Sequence, residues 1–438
     1  MDQTEALIIE TIDRHREEIL EFARDIYSHA ELGYKEFQTS GKFVKKMEQL
    51  GLRTEKGFAI TGVKAYLNED KKENASLALL GELDALCIPE HAFANPETNA
   101  AHCCGHHAQM AGVFGAALAL TVPEIAEKLD GQVIFFATPA EEYGEIEFKN
   151  QLIADGRIAY GGGKCELLRI GAFDDIDLCL THHIRPGNEI LVGSGTGNGF
   201  VSKVIRVLGK ASHAAGAPEK GVNALSAASL GLQALGLNRE TFRDEDCVRV
   251  HPIITKGGNL VNVIPDEVVV ETLVRGKTIE AFTDAAKKTD RSFKAGAIAM
   301  GAKVEISTLP GYLPTLAEEA LPELKHAAEI SASGIPVIEA SGHAGGSTDV
   351  GDVQHLMPVY TFNTGGVKGG LHQIDFEVTD EEEAYIVTAK MFALAAYGLL
   401  KEKAQRSREL VDQYEPVFKN SAEYVEFMEQ FDSKEIFE

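Results

Sequence analysis

The stretch Ser76-Leu77-Ala78-Leu79-Leu80-Gly81-Glu82-Leu83-Asp84-Ala85-Leu86 opens on an apolar run and closes on two carboxylates. A short apolar run of this kind fits a buried strand, and charge at its end fits a strand leaving the core. Two more runs share the texture. QVIFFAT at 132–138 leads straight into Pro139-Ala140-Glu141-Glu142, and DLCLTHHI at 177–184 contains His182-His183. A helical stretch separates the first two runs. That alternation predicts an α/β fold with a central sheet flanked by helices. Open α/β sheets gather their sites at the C-terminal ends of their strands, where these polar clusters stand.

Working outward, apolar positions at Ile8, Ile9, Ile12, Ile19, Leu20 and Phe22 predict one amphipathic helix over 4–25. A second helix is expected over 35–50, stopped by Gly51. Near residue 193 the texture changes. Strands are expected at 199–209, 248–255, 266–275 and 303–308, with helices at 221–237 and 278–300. This predicts a smaller α+β domain, 194–309, inserted into a catalytic domain made of 1–193 and 310–438. After Pro310 a strand at 357–363 and a long helix at 379–401 are expected, and the acidic tail beyond Lys403 reads as helical. The run Gly193-Ser194-Gly195-Thr196-Gly197-Asn198-Gly199 lacks the Lys-Ser/Thr of a phosphate loop and the spacing of a dinucleotide fingerprint. It reads as a flexible hinge, which leaves a nucleotide-binding oxidoreductase as a weak reading.

The 438 residues carry 67 acidic and 42 basic side chains, for a net charge of −25. This argues against a general nucleic-acid binder, whose affinity comes from Lys and Arg neutralising phosphates, and against an anionic membrane surface. No secretory signal is read at the N-terminus. No window reads as the ~20 apolar residues of a membrane span. The expectation is a cytoplasmic protein whose six cysteines stay reduced.

The chemistry-bearing residues fall in clusters. In His102-Cys103-Cys104-Gly105-His106-His107, an extended chain would turn Cys104 and His106 the same way. A thiolate beside an imidazole suits a transition metal. Glu141 and Glu142 are adjacent and point apart, so one can bind a metal while the other faces a substrate. The same alternation allows only one of His182 and His183 into a shared site. His372 stands alone in GGLHQIDF. A strand-end carboxylate or a Glu-Glu pair is by itself more often a solvated feature. The His-Cys-Cys-Gly-His-His string is much harder to read as bland.

With these residues in view, the chain resembles the aminoacylase/carboxypeptidase metallopeptidases of clan MH. Its nearest branch is the amidohydrolases of N-acyl amino acids, auxin conjugates and p-aminobenzoyl-glutamate. HAELGYKE (29–36), GELDAL (81–86), HCCGHH (102–107), PAEE (139–142), SHAAGAPEKGVNAL (212–225), GGNLVNVIPD (257–266) and GGSTDVGDV (345–353) carry the likeness. The resemblance implies two divalent metal ions, zinc or manganese, bridged by the Cys104 thiolate. His106, Glu142, His183 and His372 would complete their coordination, with His183 preferred because Pro186 follows at the branch's spacing. Glu141 would be the general base, taking a proton from a water acidified by the metals and returning it to the leaving amine. The insert resembles a lid and homodimerisation domain. From it His213 would stabilise the oxyanion, while Asn262 and Arg275 would grip a substrate carboxylate. The implied partner is a small amide substrate bearing a carboxylate.

Two positions depart from the branch. His107 replaces the usual Asp or Asn, and Gln109 stands where a second His is common. The competing reading is a catalytically silent metal-binding or scaffold homologue. A carboxylate base retained at Glu141, beside a ligand, favours the enzyme.

Overall fold

The computed structural model describes residues 1–332 and 334–438. The chain divides into two compact units. Unit 1 comprises Met1–Gly195, Leu316–Gly342 and Asp352–Ser421. Unit 2 comprises Thr196–Thr315, His343–Gly351 and Ala422–Glu438.

Unit 1 is built on an eight-stranded mixed sheet. Its strands run in the order Arg53–Phe58, Gly62–Leu67, Gln132–Thr138, Ser76–Glu82, Leu178–Ile184, Val359–Thr364, Ile190–Val192 and Val337–Glu339. The central strands Gln132–Thr138, Ser76–Glu82, Leu178–Ile184 and Val359–Thr364 are parallel neighbours. Every residue of Ser76–Glu82 and Gln132–Thr138 is buried. Strands covered on both faces need apolar residues at every position, which is why these runs do not alternate. The helix His106–Leu120 is buried along its whole length. It packs against the sheet and against helices Gln3–Arg14, Arg16–Ser28 and Thr388–Gln413.

The first helix expected from sequence is in fact two, Gln3–Arg14 and Arg16–Ser28, separated at His15. Asp2 caps the first with a reciprocal capping box to Glu5. The helical segment Glu382–Gln413 corrects another expectation, because it holds an 18-residue window apolar enough to cross a membrane. Of that window 89% is buried inside the protein, so its apolar surface is core.

Unit 2 holds a six-stranded antiparallel sheet. Arg249–Val250, Glu267–Gly276, Gly199–Leu208, Lys303–Pro310 and Ser433–Phe437 lie in that order, and Ile253–Lys256 also pairs with Glu267–Gly276. The strand expected over 248–255 is thus two short pieces, interrupted at Pro252, which has no N–H to give the ladder. Helices Ala224–Asn238 and Ile279–Met300 pack on one face, burying Val201, Ile205, Val207, Val268, Val270 and Val274.

The division differs from the expected boundaries in two places. The tail was grouped with the catalytic block, but Ala422–Glu438 belongs to unit 2, where Ser433–Phe437 pairs with Lys303–Pro310. His343–Gly351, which covers most of the GGSTDVGDV loop, also packs with unit 2, and His343-Ala344 pairs with Thr196-Gly197. The glycine run is therefore hydrogen-bonded backbone. A Cβ on Gly195 would lie 2.2 Å from the Gly342 carbonyl oxygen, so glycine answers to close chain approach there.

Candidate metal centre

Three neighbouring parallel strands deliver the site from their C-terminal ends. Ser76–Glu82 supplies Glu82 and, just beyond it, Asp84. Gln132–Thr138 leads to Glu141 and Glu142, and Leu178–Ile184 supplies His183. Cys104 and His106 come from the N-terminus of the buried helix. They do not lie in an extended segment, as the spacing argument assumed. Gly105 caps the helix at φ +86°, and a Cβ there would meet Ile184 at 2.0 Å. Only glycine permits this turn. His372 joins from a loop in which its N–H donates to the Cys103 carbonyl (2.9 Å).

Within unit 1, three overlapping groups of potential ligand atoms converge. Cys104, His106 and His183 form one, Cys104, Glu142 and His372 a second, and His106, Glu141 and Glu142 a third; within each, the atoms lie inside 4.8 Å of one another. Cys104 Sγ lies 3.2 Å from His183 Nε2 and 3.3 Å from His372 Nε2. The thiol therefore stands between two ligand sets. His183 Nδ1 donates to the Ile184 carbonyl (2.7 Å), and His106 Nδ1 donates to the Asp84 carbonyl (2.9 Å). Each bond selects the tautomer whose Nε2 lone pair faces the cluster. His182 turns the other way. Its Nε2 meets Thr364 Oγ1 at 2.8 Å, and its ring packs on Phe362 in the core.

The donor set fits divalent cations. His106 Nε2 and Glu142 Oε1 are buried without an aligned hydrogen bond, although Glu82 lies 3.2 Å from the first and His372 Nε2 3.1 Å from the second; a bound cation would satisfy both. Thiolate, imidazole and carboxylate together suit zinc and its first-row neighbours. Burial pushes the Cys104 thiol well above its usual pKa, and Glu142 adds to that. Burial lowers His106, but Glu82, Cys104 and the bond to Asp84 outweigh it and raise that group. Acidic ligands crowded round a buried thiol lack a positive charge, which is what a metal brings.

Several residues that sequence reasoning did not assign hold this cluster in place. Asp84 Oδ2 accepts the Glu142 N–H (2.9 Å), so one carboxylate fixes Glu142 while its own carbonyl fixes His106. Ala140 adopts φ +50°, strained for a residue with a Cβ. Buried Glu36 secures that turn by accepting the Ala140 N–H (2.8 Å) and the Thr61 hydroxyl (2.7 Å). Behind His106, Glu82 accepts from Lys164 (2.5 Å) and Gln109 (2.8 Å) and lies 3.2 Å from His106 Nε2. Burial alone raises the Glu82 carboxyl, yet Lys164 and His106 bring it down to about 2. Gln109, one of the two departures, thus clamps Glu82 and also donates to the His182 carbonyl (2.6 Å). His107, the other, is core: its Nε2 meets Tyr385 Oη at 3.1 Å, and its ring packs on Tyr27. Burial brings it down to about 3, so it is neutral.

The remaining candidate residues lie in unit 2. His213 Nδ1 accepts the N–H groups of Ala215 (3.2 Å) and Gly216 (2.9 Å). Asn262 accepts the Ala214 N–H through its carbonyl (3.0 Å), which sets it beside His213. Arg275 is at the end of Glu267–Gly276, its guanidinium 5.7 Å from the Phe200 ring centroid.

A family model described as peptidase family M20/M25/M40 matches residues 78–397. The chain belongs to this family. It is a metal-dependent hydrolase of amide bonds. The mouse Xaa-Arg dipeptidase is 27% identical over 412 residues, covering 90% of this chain and 85% of that protein. One of the polypeptides of the Escherichia coli p-aminobenzoyl-glutamate hydrolase is 27% identical over 315 residues, covering 70% of this chain and 60% of the relative. Among solved structures, a Bacillus subtilis dinuclear metal binding peptidase of the M20 family shares the fold with a TM-score of 0.60 at 24% identity, over 89% of this chain and 99% of the other.

Proposed function

We propose that this M20-family enzyme hydrolyses the amide bond of N-acyl amino acids, aminobenzoyl-glutamate-like compounds or dipeptides, using two divalent metal ions, zinc or manganese. The observation that carries this reading is Cys104 standing between two ligand sets, with the Glu141 carboxylate in an adjoining one. In this reading Cys104, His106, Glu142, His183 and His372 would hold the two ions, with Cys104 common to both ligand sets. Bound metal supplies Lewis acidity that polarises the amide carbonyl and acidifies water. Glu141 takes the proton of the attacking water and delivers it to the leaving nitrogen. His213 is assigned to the oxyanion. Its Nδ1 accepts two backbone N–H groups, so its Nε2 carries the proton and can donate. Asn262 and Arg275 are assigned to the substrate carboxylate, for which a guanidinium offers a bidentate fork.

The same reading includes a homodimer formed through unit 2. Ile253–Lys256 lies along one margin of the sheet with Ile253 61% and Ile254 42% exposed, and Leu260 and Val261 are exposed nearby. Apolar residues on a sheet margin invite pairing with another chain. All six cysteines are free thiols, which suits a reducing cytoplasm. A panel of N-acyl amino acids and dipeptides, assayed with zinc, manganese and cobalt, tests the reading. Metal-dependent release of free amino acid is expected. No turnover of any member with any of the three metals would defeat it.

A further inference from the structure

The turn that carries Glu141 is set by residues far from it in the chain. Segment 31–36 precedes the first strand of the unit 1 sheet, yet it reaches the ends of two later strands. The Glu31 carbonyl accepts the Ala85 N–H (2.8 Å) just beyond Ser76–Glu82. Glu36 Oε1 accepts the Ala140 N–H (2.8 Å) just beyond Gln132–Thr138. Ala140 is held on two further sides. Its carbonyl accepts the Gly163 N–H (3.0 Å), and a Cβ on Gly33 would stand 3.1 Å from its methyl. A Cβ on Gly163 would lie 1.6 Å from the Pro139 carbonyl oxygen, so backbone presses on the turn there too. Tyr34, also in segment 31–36, donates its hydroxyl to the Tyr160 carbonyl (2.9 Å), which ties the segment to the stretch that leads to Gly163.

Such a brace has a physical reason. A left-handed φ costs free energy for any residue with a Cβ, so Ala140 at φ +50° persists only where its surroundings hold it. Glu36 is fully buried, and both of its oxygens are engaged, one by Ala140 and the other by the Thr61 hydroxyl. Burial, with Asp84 adding to it, pushes the Glu36 carboxyl up to about 8. Hydrogen-bond acceptance rather than charge is therefore what it offers the turn. Glu141 follows Ala140 directly, and its carboxylate lies 3.9 Å from His106 Nε2. Glu142 has a separate hold, through its N–H on Asp84 Oδ2.

We propose that Glu36 is a positioning residue for the reaction: by accepting the Ala140 N–H it holds the left-handed turn that sets where the Glu141 carboxylate stands. This rests on the reading above in which Glu141 is the base, and it adds a residue on which that base depends.

Glu36→Leu removes both acceptors at similar volume. In the metal-loaded enzyme kcat is expected to fall by about tenfold or more, with KM changed by less than about twofold, the mark of a displaced catalytic group. Elemental analysis should find the metal content of the wild type. Glu36→Gln keeps an oxygen for Ala140 and offers its NH2 to the Thr61 hydroxyl, which can turn to accept it. Its kcat should stay close to that of the wild type. Ala140→Gly added to Glu36→Leu should restore part of the loss, because glycine takes a positive φ without strain. Thr61→Val, which frees one Glu36 oxygen, gives the same readings at smaller amplitude and serves if Glu36→Leu does not fold. Hydrogen exchange reads the brace without turnover. The Ala140 amide should exchange about tenfold or more faster in Glu36→Leu while the Phe135 amide of the adjoining strand keeps its rate. That comparison holds whether or not any amide is hydrolysed, so failure of the brace and failure of the hydrolase reading are told apart. A Glu36→Gln variant as impaired as Glu36→Leu, loss of metal together with turnover, or an Ala140 amide whose exchange does not change overturns the inference.

Discussion

The two units solve opposite electrostatic problems. Unit 1 gathers Glu82, Asp84, Glu141 and Glu142 at the ends of buried parallel strands. There negative charge is in excess, and a cation is what satisfies it. Unit 2 places Arg249 against Arg275 on an antiparallel sheet. There two guanidinium side chains share one face of the ladder, Arg249 exposed and Arg275 half-buried beside the Phe200 ring. In unit 1 the polypeptide carries a local cost that a bound cation removes. The difference lies in burial. The unit 1 cluster is mostly buried, so its partner must be a permanent part of the structure. The unit 2 pair is partly exposed, so water screens its like charges.

The contrast can be broken most sharply at the thiol. Cys104→Ala removes the ligand shared by two groups. Elemental analysis should show bound metal falling from two ions per chain to one or fewer, and turnover should drop by more than about 100-fold. Full occupancy would make Cys104 a bystander.

Chelation should separate the units. Hydrogen exchange is expected to speed up by about tenfold or more over 102–110 and 181–185, where metal and folding are coupled. The strands Gly199–Leu208 and Glu267–Gly276 should keep their protection. Equal loss in both would remove the distinction.

Lys164→Met takes from the buried Glu82 carboxylate its lysine partner, leaving Gln109 and His106 beside it. It should cost about 3–5 kcal/mol of stability in denaturant unfolding. A loss below ~1 kcal/mol would show that His106 and Gln109 suffice to hold it.

The smallest effect concerns Glu318, a half-buried acid of unit 1. Burial pushes it up to about 8 from its usual 4.5, against opposing bonds from Thr361. Its protonated form belongs to the folded state. Its contribution is therefore complete below pH 4.5, declines as pH rises, and is gone once pH passes about 8. Glu318→Gln should flatten that slope, and the gap between variant and wild type should change by on the order of 2 kcal/mol between pH 5 and 8. Parallel stability curves would contradict the shift.

The sheet of unit 1 was legible because strands buried on both faces must be apolar throughout. Ser76–Glu82 and Gln132–Thr138 therefore declared their own limits. The candidate ligand cluster was legible in outline through the His-Cys-Cys-Gly-His-His string and the Glu141-Glu142 pair, but not through spacing, because Cys104 and His106 flank a glycine-capped helix start rather than an extended segment. What holds that cluster was not. Lys164 sits in a glycine-rich segment with no periodic signal, and its meeting with Glu82 depends on how strands and helices stack. The pairing of Arg249 with Arg275 depends on register across 26 positions of chain, which one-residue slips would alter entirely. The break at His15 lies inside a pattern whose apolar spacing does not change phase. The tail's place is set by a strand partner in a distant element, which no local pattern reveals.

The central claim, water attack driven by Glu141 beside a metal cluster that Glu141 does not itself hold, is tested most directly by Glu141→Gln. Metal content and hydrolysis of the best N-acyl amino acid should be measured on the same preparation. The account expects two metal ions per chain, as in the wild type, with kcat lower by about 100-fold or more. Undiminished turnover, or loss of metal together with turnover, would contradict it.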